Sequence, residues 1–209
     1  MSTAVSAQAG FDQTDAAFLA RGSFRLGLVE SGIVLAFALV LRLLGGVPGL
    51  ALQALLLVAG LSAVTVLPGL WTKARTIEGI AGAATIGFFA TVVFMLVDVS
   101  FFQPFHLYTH RWLAIGGGAN WWYHPVWWMA GTFMPWLGAW MLANQSGRTS
   151  PPSPAGVLAA AFGTTLVVAV IAILTGFPGA GWGIGTFGVA YLPGLALSTV
   201  ISVLRARRA

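Results

Sequence analysis

The sequence contains no cysteine, and this absence excludes several kinds of chemistry. Without thiols the chain cannot form disulfide bonds, use a thiolate nucleophile, or hold an iron–sulfur cluster or a cysteine-type zinc site. Lysine is almost as scarce, because Lys73 is the only one and lies in a predicted loop. A lysine Schiff base inside a membrane helix, which retinal proteins need, is therefore excluded as well.

Charged residues are also few. They make up 7% of the 209 residues, whereas soluble domains contain about 25%. Hydrophobic residues make up 58% of the chain. Since one helix needs about 20 apolar residues to cross the hydrocarbon, this length leaves room for six or seven crossings. The composition therefore predicts an all-α, polytopic membrane protein whose main partner is the lipid bilayer.

Turn signals divide the apolar sequence into six predicted spans. Gly45 to Gly49 separates the first two, and the stretch SGRTSPPSP at 146–154 is the clearest linker. The predicted organisation is a polar N-terminal tail over 1–25, a six-span membrane domain over 26–204 with an aromatic loop at 100–120, and a basic tail over 205–209. The predicted spans are 26–44, 50–70, 77–101, 121–143, 155–174 and 184–204.

The basic residues are distributed unequally between the two sides of this bundle. Eight lie on the side of the chain termini, and only Arg42 and Arg111 lie on the other side. By the positive-inside rule both termini are expected in the cytoplasm and the aromatic loop on the exoplasmic side of a bacterial inner membrane. Because the charges are scattered singly, nucleic acid is not an expected partner despite the net charge of +5. The eight are Arg21, Arg25, Lys73, Arg75, Arg148, Arg205, Arg207 and Arg208.

Aromatic residues concentrate between Asp98 and Trp140, a region that holds all three histidines and seven of the nine tryptophans. Such a density of indoles predicts a pocket for a flat or apolar ligand, such as a quinone, an isoprenoid, a lipid or the edge of a haem. The alternative is an aromatic belt at the membrane interface combined with helix packing. The candidate ligand-binding residues are Trp121, Trp122, Trp127, Trp128, Trp136 and Arg42.

The histidines also suggest a metal site. His106 and His110 are four residues apart, which would place both rings on one face of a short helix, and His124 follows a run of three glycines. Three imidazoles and the carboxylate of Asp98 form a ligand set that transition metals accept. In the alternative interpretation the histidines anchor the loop at the lipid headgroups, and Asp98 forms an ion pair with Arg42.

Two further carboxylates lie in apolar sequence. Glu30 and Glu78 are predicted near the cytoplasmic ends of spans one and three, where hydration is the simpler interpretation and a proton or ion path is the alternative. In span three, Gly79, Ala83 and Gly87 share one helix face and predict a close contact between helices.

Two functional hypotheses follow from these features. The first is a non-catalytic subunit or small carrier that binds an apolar or amphipathic ligand, or a partner in a larger complex or homo-oligomer, at an aromatic exoplasmic pocket. The second is a metal-dependent membrane enzyme, an oxidoreductase or a lipid- or isoprenoid-modifying enzyme, that uses the three histidines and Asp98. The first is favoured because few ionisable side chains remain once the topogenic charges are removed.

Overall fold

The computed structural model describes residues 15–114, 123–145 and 153–206, except for the side chains of Tyr123 and His124. These residues form helices and connections without a strand. A π-helical turn, Asp98–Phe102, directly follows α3 and continues it. The helices are α1 (Ala16–Leu43), α2 (Gly46–Trp71), α3 (Ile77–Val97), α4 (His110–Ala114), α5 (Tyr123–Gln145), α6 (Pro154–Leu174) and α7 (Ile184–Ala206).

The chain is a multi-pass membrane protein built as a helical bundle, as its composition predicts. In the described part of the chain, five helices are long and apolar enough to cross a bilayer, namely α1, α2, α3 with its π-helical turn, α6 and α7. The sixth long helix, α5, has 23 residues and corresponds to the predicted fourth span. It packs against α2, α3 and α7, which places it within the bundle.

Contacts between the helices define their directions. α1 runs parallel to α3, α3 runs antiparallel to α5, and α5 runs parallel to α7. The start of α1 and the end of α7 therefore lie at the same end of the bundle, called here the basic end, and α4 lies at the other, called here the histidine end. The contacting pairs are Gly22 with Ile86, Gly27 with Val93, Gly87 with Pro135, Phe94 with Trp127, Met141 with Ser198, and Asn144 with Ser202.

The first helix begins earlier than the sequence suggests. Residues 16–25, which the sequence assigns to a polar tail, form the first turns of α1 because Asp15 caps the helix by accepting a hydrogen bond of 2.8 Å from the backbone N–H of Phe18. Phe18 and Leu19 then pack against the buried side chains of Leu26 and Ile86. With 28 residues, α1 is about 42 Å long, more than the hydrocarbon thickness requires.

The small residues of α3 form the close contact that their spacing predicts. Gly79, Ala83 and Gly87 are all buried. Ala83 packs in one cluster with Ala139 of α5, and Gly87 lies against Pro135 of the same helix. The contact is therefore within the chain, between α3 and α5.

Candidate functional site

A buried polar network lies where α3 ends. The carboxylate of Asp98, which is 1% exposed, accepts a hydrogen bond of 2.6 Å from the Gln103 side-chain amide and another from the Tyr108 hydroxyl. The backbone N–H of Gln103 also donates to the Asp98 carbonyl, at 2.9 Å. This bond to the residue five positions earlier is the mark of a π-helical turn, and it brings Gln103 to the same side as Asp98.

Two arginines join the following segment to the end of α1. The Arg42 guanidinium donates to the carbonyl oxygen of His106 at 3.3 Å, and the Arg111 guanidinium donates to the carbonyl oxygen of Leu41 at 3.1 Å. Carbonyl groups in the last turn of a helix lack partners within the helix, so a cation there is favourable. The ion pair between Arg42 and Asp98 considered from the sequence is not formed, since each side chain has these other partners.

The histidines are not arranged as their spacing predicts. His106 and His110 do not share a helix face, because α4 begins only at His110 and His106 has a left-handed backbone with φ of 50°. Both side chains are exposed. The His124 side chain lies outside the described residues.

The metal hypothesis therefore stays a prediction. Among the described residues no three His, Asp or Glu side chains come together in a cluster that would hold a metal ion. A site that includes Asp98 would require its carboxylate to exchange the hydrogen bonds from Gln103 and Tyr108 for bonds to the ion.

Two of the predicted ligand-binding tryptophans pack against α3. Trp127 lies 4.6 Å from Phe94 between ring centroids, and Trp128 lies 4.9 Å from Phe88. Contacts of this length between tilted rings are typical of side chains that hold helices together. The geometry agrees with the helix-packing alternative for these two residues.

Of the three other predicted tryptophans, the structure describes Trp136 but not Trp121 or Trp122. Trp136 contacts its neighbours on α5, with its ring centroid 5.5 Å from that of Trp140 and 5.9 Å from that of Phe133. Trp121 and Trp122 lie outside the described residues, so their predicted role in ligand binding stays a prediction.

A cleft of about 990 Å³ opens at the histidine end, between the beginning of α2, the end of α6 and the beginning of α7. Its walls are mainly aliphatic, and Leu113 of α4 and Trp182 of the α6–α7 connection also contribute. The predicted ligand-binding residues Trp127, Trp128, Trp136 and Arg42 are not in its lining.

Gln53 supplies the most polar group of this cleft. Its side chain is 8% exposed and forms part of the cleft wall. An amide at the wall of an apolar cleft can donate a hydrogen bond to a ligand and accept one from it. The sequence shows Gln53 as a lone polar residue in the second span, but only the fold shows which neighbours surround it.

Sequence reasoning also missed Gln103 and Tyr108. An α-helical periodicity does not place residue 103 beside residue 98, and a turn separates Tyr108 from the helix. No protein-family model, curated protein or solved structure matches this chain, so its function is inferred from its own geometry.

Proposed function

We propose that this protein is a non-catalytic membrane subunit or small carrier that binds an apolar or amphipathic molecule in the cleft at the histidine end. The observation that carries this proposal is the cleft itself, which combines apolar walls with the side-chain amide of Gln53. Ligand sites are mostly apolar cavities with a small number of placed polar groups, and this cleft has both features.

The dimensions of the cleft favour a molecule with a long apolar part. Its volume of about 990 Å³ is at the upper end of the range for ligand pockets. Val168 and Ile171 of α6 and Val189 of α7 supply aliphatic surface along two membrane-spanning helices. A quinone, an isoprenoid or a lipid chain would bury its tail against these side chains and direct a carbonyl or hydroxyl group to Gln53.

The chemistry of the lining favours binding over catalysis. None of the described residues that line the cleft carries an ionisable side chain, and its most polar groups are Gln53, Thr175 and Thr186. General acid–base catalysis needs a group that gains or loses a proton, and transition-metal binding needs imidazole, thiolate or carboxylate. The lining supplies hydrogen bonds and apolar contact, which hold a ligand without transforming it.

The cellular setting is part of the same proposal. The excess of arginine and lysine at the basic end supports an orientation with both termini in the cytoplasm of a bacterial cell, in its inner membrane. The cleft would then open on the exoplasmic side. A carrier or subunit of this size would act as a homo-oligomer or within a larger membrane complex.

The absence of cysteine allows a direct test. Thr175 lines the cleft, whereas its neighbour Leu174 does not and is 77% exposed. Single Thr175→Cys and Leu174→Cys variants in lipid nanodiscs would be labelled with a maleimide, with and without a decyl-substituted quinone, a fatty acid or a polyisoprenyl phosphate. We expect at least one of these probes to slow labelling at position 175 several-fold and to leave position 174 unchanged.

A second variant tests the polar group. Gln53→Leu in the Thr175→Cys background should remove most of the protection, because the buried amide is lost while the apolar walls remain. Equal protection at positions 174 and 175, or no protection by any of the three probes, would contradict a binding site in the cleft.

A further inference from the structure

The middle of α1 carries a buried carboxyl group. Glu30 lies halfway along the helix Ala16–Leu43, and its side chain is 6% exposed. Both carboxyl oxygens are buried and have no hydrogen-bond partner among the described residues. The sequence predicts a hydrated Glu30 near the start of the span, and this is wrong because α1 begins at Ala16.

The titratable and charged groups around Glu30 include no base within reach. α1 packs against α2, α3 and α4. α2 has no titratable side chain, α3 carries Glu78 in its first turn, and α4 carries His110 and Arg111 at the histidine end. On α1 itself Arg21, Arg25 and Arg42 are exposed, so their guanidinium groups do not enter the interior.

The nearest titratable neighbour by register is an acid. Gly22 contacts Ile86, and Arg42 contacts His106, so residues of α1 lie level with residues 64 positions later in α3 and the segment after it. Asp98 is therefore level with Val34, one turn or about 6 Å along the axis from Glu30.

An ionised Glu30 would thus be unfavourable for two reasons, since it has neither a counter-ion nor a hydrogen-bond donor among its described neighbours. Removing an unpaired carboxylate from water is strongly unfavourable even after the surrounding protein relaxes. Binding a proton removes the charge and most of this cost. Ionisable side chains persist inside membrane bundles mainly where they carry out a function.

The buried face of α1 is polar on only one side of Glu30. Toward the basic end, Ser23 is buried and donates its hydroxyl hydrogen to the Leu19 carbonyl at 2.8 Å, which leaves the hydroxyl oxygen as an acceptor. Toward the histidine end, beyond Ser31, the buried residues Val34, Phe37 and Leu41 are apolar. Along α1 itself, beyond the adjacent Ser31, a buried polar side chain therefore occurs only on the side of the basic end, where Ser23 lies about two turns from Glu30.

We propose that Glu30 is an intramembrane proton-binding site that is neutral in the resting bundle and exchanges its proton with water at the basic end. The transferred species is a proton alone, which leaves the carboxylate behind when it departs and neutralises it on return. This function does not depend on ligand binding in the cleft, so either proposal can fail without the other.

Infrared difference spectroscopy tests the site directly. The spectrum of the intact protein minus that of Glu30→Gln should show the carbonyl stretch of a protonated carboxyl group at neutral pH. The band should shift within minutes when the buffer is changed to D₂O. Glu78→Gln is the matched control, because Glu78 is exposed in the first turn of α3 and its substitution should leave the band unchanged.

Further variants keep the test decisive. If Glu30→Gln does not fold, Glu30→Asp should move the band instead of removing it. Ser23→Ala should slow the deuterium shift several-fold, whereas Thr85→Ala, which removes a hydroxyl bonded to its own helix on α3, should not. A band that persists in Glu30→Gln, one that does not shift in D₂O, or an unchanged rate in Ser23→Ala would overturn the proposal.

Discussion

The Tyr108 hydroxyl donates a hydrogen bond to the carboxylate of Asp98, and this contact joins the π-helical turn after α3 to the segment that leads into α4. Gln103 donates to the other carboxylate oxygen. Both donors belong to the connection between α3 and α4, which Leu107 and the hydrogen bond from Arg42 to His106 also join to the bundle. The buried acid therefore orders the segment between α3 and α4.

Tyr108→Phe should destabilise the protein because it removes one donor from a buried carboxylate. Leaving such a group partly unsatisfied costs about 1–3 kcal/mol. The expected result is a lower melting temperature in detergent, together with faster amide hydrogen exchange over residues 103–114. Exchange in α6 should change much less, because the main contacts of α6 are with α2, α5 and α7.

A double-mutant cycle with Asp98→Asn separates this hydrogen bond from other effects of the tyrosine. The combined loss of stability in Tyr108→Phe with Asp98→Asn should be smaller than the sum of the two single losses, since both substitutions weaken one contact. Strictly additive losses would show that the two side chains do not interact.

Gly138→Ala should lower stability because α5 approaches α2 closely at this point. A Cβ atom on Gly138 would collide with the backbone carbonyl oxygen of Thr65, which cannot move aside without shifting α2. Overpacking of this kind costs about 1–3 kcal/mol, and thermal unfolding in detergent measures it.

Gly32→Ala in α1 is the matched control for this substitution, because a Cβ atom there would meet nothing within 4 Å. Alanine favours a helix over glycine by up to about 1 kcal/mol, so stability should be unchanged or slightly raised. Equal effects of the two substitutions would contradict the close approach of α2 and α5.

The proposed orientation predicts which end of the bundle an impermeant reagent can reach. Gly181 lies in the exposed connection between α6 and α7, and Ala206 ends α7 at the basic end. In intact cells a membrane-impermeant maleimide should label Gly181→Cys but not Ala206→Cys, and permeabilised cells should show both. The reverse pattern would place the basic end outside.

How much of the molecule could be predicted depends on whether a feature is local in sequence. The helices of the bundle follow from runs of apolar residues, and the contact through Gly87 follows from a four-residue spacing on one helix. The neighbours of the predicted site residues could not be read from the sequence, because Trp127 and Trp128 pack against phenylalanines of α3 that no spacing identifies. Likewise, Gln103 reaches Asp98 only through a π-helical turn, which an α-helical pattern does not predict.

The sequence by itself determined that this protein is a helical membrane bundle, since the free energy of leaving water is a property of each segment and needs no knowledge of its neighbours. It also determined the unequal distribution of basic residues. Only the tertiary structure decided that Asp98 has two donors, that Gln53 lies in a cleft and that the Glu30 carboxyl group has no hydrogen-bond partner among the described residues. Each of these depends on which helix faces meet, and pairings between residues distant in sequence are fixed by packing and not by composition.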